Sequence, residues 1–186
     1  NAHDAGWEYL NMAALRLNKG ERYNGVVGEH EHLSVVLGGR CNFHTSAGNY
    51  RGVGRRPNVF SGMPYALYLP RGAEFEIEAL TDGLEIASCW VPTDEDHPAQ
   101  LITPDDCDIE IRGGANATRQ INGIMPPGSD CHRIVCVEVY TPSGNWSSYP
   151  PHKHDIHRVA VDGTLLEADL EEIYFYKIDN PHGYAY

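Results

Sequence analysis

From residue 33 onward the chain runs in short stretches that are apolar or alternate apolar with polar, separated by Gly, Pro, Asn and Asp. Stretches 33–37, 40–44, 58–60, 65–69, 74–80 and 84–91 read as successive strands, with Gly38-Gly39 and Asp82-Gly83 as turn signals between them. Segment 92–106 breaks the pattern with Pro92, Pro98, Pro104 and the acidic run Asp94-Glu95-Asp96, and reads as a connection between two units. Strand-like runs resume at 108–112, 133–140 and 172–178. Helical periodicity is hard to find. The expectation is an all-β protein of the jelly-roll sandwich or barrel kind, in two units over residues 1–104 and 105–186. The last predicted strand stops only eight residues before Tyr186, so the second barrel is expected to be incomplete in this chain.

Composition narrows the function classes. A hydrophobic content of 41% over 186 residues suits a globular protein rather than a disordered one. The formal charge of −12 argues against nucleic acid and anionic membrane surfaces, both of which need a basic face. No run of about 18 apolar residues is present, and the first residues lack the pattern of a secretory signal. The five cysteines are odd in number and form no CxxC pair, which reads as reduced thiols and a cytoplasmic location.

The segment Gly144-Asn145-Trp146-Ser147-Ser148-Tyr149-Pro150-Pro151-His152-Lys153-His154-Asp155 carries the most chemistry. On an extended chain residues two apart share a side, so His152 and His154 can turn both imidazoles toward one ion while Lys153 faces away. Glu171-Glu172 then opens Ile173-Tyr174-Phe175-Tyr176-Lys177-Ile178, which has the β-branched and aromatic content of a strand. With Glu172 facing inward, Tyr174, Tyr176 and Ile178 share its side. Two histidines and a glutamate suit Zn²⁺, Mn²⁺ or Fe²⁺. Spacing alone leaves a second reading open, in which the histidines are an exposed loop pair and Glu172 a solvated strand edge.

These same residues carry a resemblance. GNWSSYPPHKHD followed by the Glu-Glu-Ile-Tyr-Phe-Tyr run, together with the segment Arg112-Gly113-Gly114-Ala115-Asn116-Ala117-Thr118-Arg119, resembles the 5-deoxy-glucuronate isomerase family of myo-inositol catabolism. The region is also similar to the 5-keto-4-deoxyuronate isomerases of pectin breakdown, and both families belong to the cupin superfamily. The resemblance covers about Gly6 to Tyr186 and implies a bicupin. His152, His154 and Glu172 would be its metal ligands, with zinc or manganese the expected divalent ion. A fourth ligand, a histidine, is implied on a later strand beyond Tyr186. The interval from His154 to Glu172 exceeds the usual cupin spacing, which implies an inserted loop over 155–170 able to act as a lid.

The implied reaction converts 5-deoxy-D-glucuronate to 5-dehydro-2-deoxy-D-gluconate, an aldose–ketose shift in which a divalent ion stabilises the developing enediolate. Glu171, Tyr174 and Tyr176 are candidate bases, with no means of choosing among them. The sugar-acid carboxylate needs a cation, for which Arg119 and Arg112 are candidates because guanidinium binds carboxylate through two parallel hydrogen bonds. Surface ion pairing is the other reading of both. Tyr174 and Tyr176 would line the substrate, whereas Trp146 and Tyr149 read as core. Two other classes remain: a cupin metal oxygenase, and a non-catalytic sugar-acid-binding cupin. A half-built barrel exposes strand edges and apolar surface, so association with further copies of the chain is expected.

The first unit reads as a degenerate cupin without metal. Glu31, Leu33, Val35 and Leu37 fall where a cupin's ligand carboxylate and inward face would sit, and Pro70-x-Gly72-x-x-Phe75 puts phenylalanine in place of a ligand histidine. His30 and His32 are expected to point away from that interior, and with His44 to be ordinary polar-face residues.

Overall fold

The computed structural model describes residues 1–186. After a single helical turn, Ala2–Ala5, every regular element of more than one turn is a strand. The first group comprises β1 (Asn11–Leu17), β2 (Arg22–Val26), β3 (His30–Gly38), β4 (Cys41–Thr45), β5 (Gly48–Val53), β6 (Tyr65–Leu69), β7 (Glu74–Ala79), β8 (Leu84–Pro92) and β9 (Gln100–Ile102). The second comprises β10 (Asp108–Arg112), β11 (Arg119–Met125), β12 (Cys136–Tyr140), β13 (Arg158–Val159) and β14 (Leu165–Glu167).

All pairings are antiparallel. One sheet has the order β1-β8-β3-β6-β9 and faces a second with the order β2-β7-β4-β5. Strands β10-β11-β12 form a third sheet, and β13-β14 a short ribbon. The all-β expectation is thus met. β9 lies within the proline-rich stretch and pairs with β6, so that stretch is built into the first sheet along part of its length.

The five-stranded sheet is buried on both sides, and this organises the molecule. One face supplies Val36, Leu67, Leu69, Leu84 and Ile86 to the interior of the sandwich, against Phe43, Phe75 and Ile77 of the facing sheet. The other face supplies Leu33, Val35, Leu37, Ala66 and Tyr68 to a separate core completed by Cys107, Ile124, Met125 and Ile134 of the second unit. Each fully buried aliphatic or aromatic side chain of this kind contributes about 1.5–3 kcal/mol. Because both faces of β3 are covered, it reads as a near-continuous apolar run instead of an alternating one.

That arrangement corrects the orientation expected for β3. Glu31 lies on the face turned to the second unit, together with Leu33 and Val35. His32 points into the first sandwich, where its ring lies 5.0 Å from Phe75 and 6.3 Å from Trp90. With two apolar faces available, pleat parity tells which residues travel together and leaves open which set goes inward.

Two predicted strands are absent. Residues 58–60 form a turn in which Asn58 Oδ1 accepts from Phe60 N–H at 3.0 Å and from Ser61 Oγ at 3.0 Å, a side-chain closure that competes with strand pairing. Residues 172–178 belong to no sheet and are exposed on both sides, because no strand of this chain lies alongside to accept their hydrogen bonds. Strands β1, β2, β5, β9, β11, β13 and β14 were outside the predicted set. No helix is long and apolar enough to cross a membrane.

Candidate functional site

His152 and His154 follow Pro150-Pro151, where two prolines favour extended backbone and put the two imidazoles on one side. Their ring centroids are 5.0 Å apart and nearly perpendicular, at 86°. Each ring has Nδ1 against a backbone carbonyl: His152 on Pro150 O at 2.9 Å and His154 on Ala168 O at 3.1 Å. A carbonyl only accepts, so each Nδ1 carries a hydrogen, and in the neutral ring each Nε2 then keeps its lone pair. This is the tautomer required of a metal-ligating histidine, fixed by the partner of the other ring nitrogen.

Glu172 reaches the same place. Its Oε1 lies 3.8 Å from His154 Nε2, and its side chain is 42% exposed. Tyr174 and Tyr176 stack at 6.0 Å and 14°, on the side shared with Glu172. Partial burial, the Glu172 carboxylate and Tyr176 together hold the Tyr174 phenol above its ordinary range. Lys177 turns the other way and ion-pairs with Glu85 of β8 at 2.9 Å. The structure therefore brings His152, His154, Glu172, Tyr174 and Tyr176 to one region. No group of three or more His, Cys, Asp or Glu side chains closes around a single point.

The inserted segment folds back over the histidines. Leu170 N–H donates to His154 O at 3.1 Å, and β13-β14 is closed by a turn at 160–164. Between this ribbon and the histidines lies an open cleft of about 400 Å³, lined by His152, Lys153, His154, Leu165, Leu166, Glu167 and Ala168. The segment expected to act as a lid thus forms one wall of the cleft that holds both imidazoles.

The arginines part company. Arg112 is exposed and spent on a bidentate pair with Glu110, at 2.9 and 2.6 Å, which is the surface-pair reading. Arg119 is only 6% exposed and makes one hydrogen bond, from Nη1 to Ala117 O at 3.1 Å. Its Nε is buried without a partner, and no carboxylate pairs with it. No hydrogen bond or ion pair joins either arginine to the histidines or to Glu172. Trp146 and Tyr149, read as core residues, are instead half exposed and pack edge to face at 5.9 Å. Residues 141–149 sit against the turn before β11 through Trp146 N–H to Asn116 O, with no sheet to bury them.

Glu171, a candidate base, has a different task. Its two carboxylate oxygens accept from the backbone N–H groups of Glu8, Tyr9 and Leu10 at 2.7, 2.9 and 2.7 Å. Desolvation opposes its ionisation, but these three donors outweigh it and hold the carboxyl below its usual range. A carboxylate so engaged is a poor base.

Sequence reasoning missed the residues that join the two units. Glu31 is fully buried and accepts four hydrogen bonds: from Tyr68 Oη at 2.8 Å and from the N–H groups of His132, Arg133 and Ile134 at 2.9, 2.6 and 2.9 Å. Arg56, also buried, pairs through both its terminal nitrogens with Glu138 of β12, at 2.7 and 2.6 Å. A charged residue beside the apolar run 33–37 was the available signal for Glu31. Nothing local marks Arg56.

A model of the KduI/IolB family matches residues 1–186. The chain is 40% identical, over 97% of its length, to a 5-deoxy-glucuronate isomerase of Geobacillus thermodenitrificans, of which it covers 64%. It is 34% identical, over its whole length, to the Halalkalibacterium halodurans protein of the same name, of which it covers 67%. The crystal structure of an IolB-like protein from Salmonella typhimurium superimposes with a TM-score of 0.83 at 32% identity, covering 90% of this chain and 62% of that one. The chain thus spans about two thirds of the length of these relatives.

Proposed function

We propose, from the premise that this chain belongs to the KduI/IolB family, that it forms the larger part of an isomerase acting on 5-deoxy-glucuronate, with His152, His154 and Glu172 as donors to a divalent cation. Relatives named for that activity align along nearly all of its length. The observation that carries the cation reading is the seating of both Nδ1 atoms on backbone carbonyls, which in the neutral rings leaves each Nε2 as a lone-pair donor, that of His154 beside the Glu172 carboxylate. The donor set fits zinc or manganese in kind. A bound ion would supply Lewis-acid polarisation of a sugar carbonyl and its neighbouring hydroxyl.

The chain's own residues contribute the rest. Tyr174 and Tyr176 offer phenols beside Glu172, and the surroundings of Tyr174 hold its proton more tightly than in a free phenol. Arg119 is the better of the two arginines for the substrate carboxylate, since it has no carboxylate of its own and Arg112 is already paired.

Titration calorimetry with Zn²⁺ and Mn²⁺ tests the site. One ion per chain is expected, with affinity falling about tenfold or more in His154→Ala and Glu172→Ala. Equal affinity in the parent and in a variant lacking all three donors refutes the assignment. Conversion of 5-deoxy-glucuronate under nitrogen separates the chemistry, because an isomerase keeps its rate without oxygen and an oxygenase does not.

A further inference from the structure

We propose that Glu95, His97, Asp130 and His132 form a proton-operated clasp that fastens the loop ahead of β12 to the β8–β9 connection of the first unit. The four side chains come from two places distant in sequence. Glu95 and His97 lie between β8 and β9, and Asp130 and His132 lie between β11 and β12. His97 Nδ1 meets Asp130 Oδ1 at 2.7 Å, across the seam. His132 Nδ1 meets Thr93 Oγ1 at 2.8 Å, across the seam in the opposite sense. Glu95 stands between the two rings, with Oε2 at 3.4 Å from His97 Nε2 and Oε1 at 3.4 Å from His132 Nε2.

Charge makes this arrangement depend on protons. The carboxylate of Asp130 only accepts, so His97 Nδ1 carries a hydrogen. In the neutral ring, Nε2 then turns a lone pair toward the Glu95 carboxylate, and that nitrogen is buried with no hydrogen-bond partner. A second proton on His97 converts this contact from repulsive to attractive. The other charged groups at the seam do not compensate for its absence. Asp94 adds a further negative charge, 3.6 Å from His132 Nδ1. Asp96 is occupied by Arg71 at 2.7 and 2.9 Å. Arg133 donates to Pro92 O at 3.0 Å and lies over the Tyr9 ring. Glu31 spends its oxygens on backbone N–H groups of the same loop and on Tyr68.

The hydrogen bond to Asp130, opposed by desolvation and aided by Glu95, holds the His97 imidazole above its ordinary value of 6.5. The sign follows from linkage. A folded-state value above the open-state value gives a contribution fully present below pH 6.5 and lost as pH rises through the folded value. The loop should therefore be held more tightly in acid and loosen on the alkaline side. That loop carries Ile134 of the shared core and the three N–H groups on Glu31, so its release weakens the docking of the second unit.

The test is an NMR titration of the imidazoles in the whole chain, from about pH 5.5 to about pH 8.5, with hydrogen-exchange protection factors for 131–134 at each point. A His97 midpoint above 6.5 is expected, with protection falling through that midpoint by about tenfold per unit of elevation. In Glu95→Gln and in His97→Gln the pH dependence of protection should shrink while the circular dichroism spectrum is retained. A His97 midpoint at or below 6.5, or protection that is flat across the midpoint, overturns the clasp. So does an unaltered pH dependence in both variants.

Discussion

Replacing Glu31 by alanine removes the acceptor of four hydrogen bonds from a site with no exposure to solvent. The N–H groups of His132, Arg133 and Ile134 and the Tyr68 hydroxyl would all lose their partner, beside a cavity the size of the missing side chain. A hydrogen bond to a charged group contributes roughly 1.5–3 kcal/mol, so simple addition over four would suggest about 6–12 kcal/mol. Members of one network do not add, and burying the carboxylate itself carries a desolvation cost that the variant escapes. The expected net loss is about 4 kcal/mol. Glu31→Gln keeps one acceptor oxygen but turns an amide NH₂ toward donors, and should lose about 2–3 kcal/mol. Urea denaturation followed by tryptophan fluorescence measures both, and hydrogen exchange at 132–134 localises the effect. A Glu31→Ala chain within about 1 kcal/mol of the parent, with protection at 132–134 intact, would show that the carboxylate does not hold the units together.

His32 is buried against Phe75 and Trp90, and desolvation, with a smaller contribution from His30, pushes its imidazole down to about 4. The unfolded chain binds that proton near 6.5, so stability should fall as the medium is acidified between those values, by up to about 3 kcal/mol at the acid end. In His32→Phe that part of the pH dependence should vanish, and an unchanged acid limb in denaturation curves would contradict the burial argument. Arg56→Lys keeps the charge but cannot reproduce the two-pronged contact with Glu138 and the bonds to Gly62 O and Val36 O. It should cost about 2–4 kcal/mol by thermal or urea denaturation, and a cost below about 0.5 kcal/mol would rule out a structural role for the pair.

The strands of the first sandwich were legible because their apolar runs are bounded by turn residues, as in Tyr65–Leu69 between Pro64 and Pro70. β1 and β2 were not, because β1 buries only its two end residues, while β2 buries none and contains Gly25. The orientation of β3 was beyond reach for a different reason: a strand covered on both faces loses the polar alternation that would mark its outside. In the candidate site, the spacing of His152 and His154 was enough to pair them, because it is a local property of extended backbone. Glu172 could be paired with them only through the resemblance, since 17 residues of intervening chain had to fold back first. Arg119 and Arg112 look alike in sequence, and only their contacts separate them: Glu110 pairs with Arg112, and no carboxylate forms an ion pair with Arg119. Arg56 and Glu138 are 82 positions apart, a separation over which pattern carries no information.

The three backbone bonds from residues 8–10 to Glu171 tie the beginning of the chain to the residue next to a candidate ligand. Residues 8–10 therefore act as a template that sets where Glu172 is presented, although they share no chemistry with it. Tyr9→Pro, which removes one of these N–H groups, would be felt at the histidine cleft.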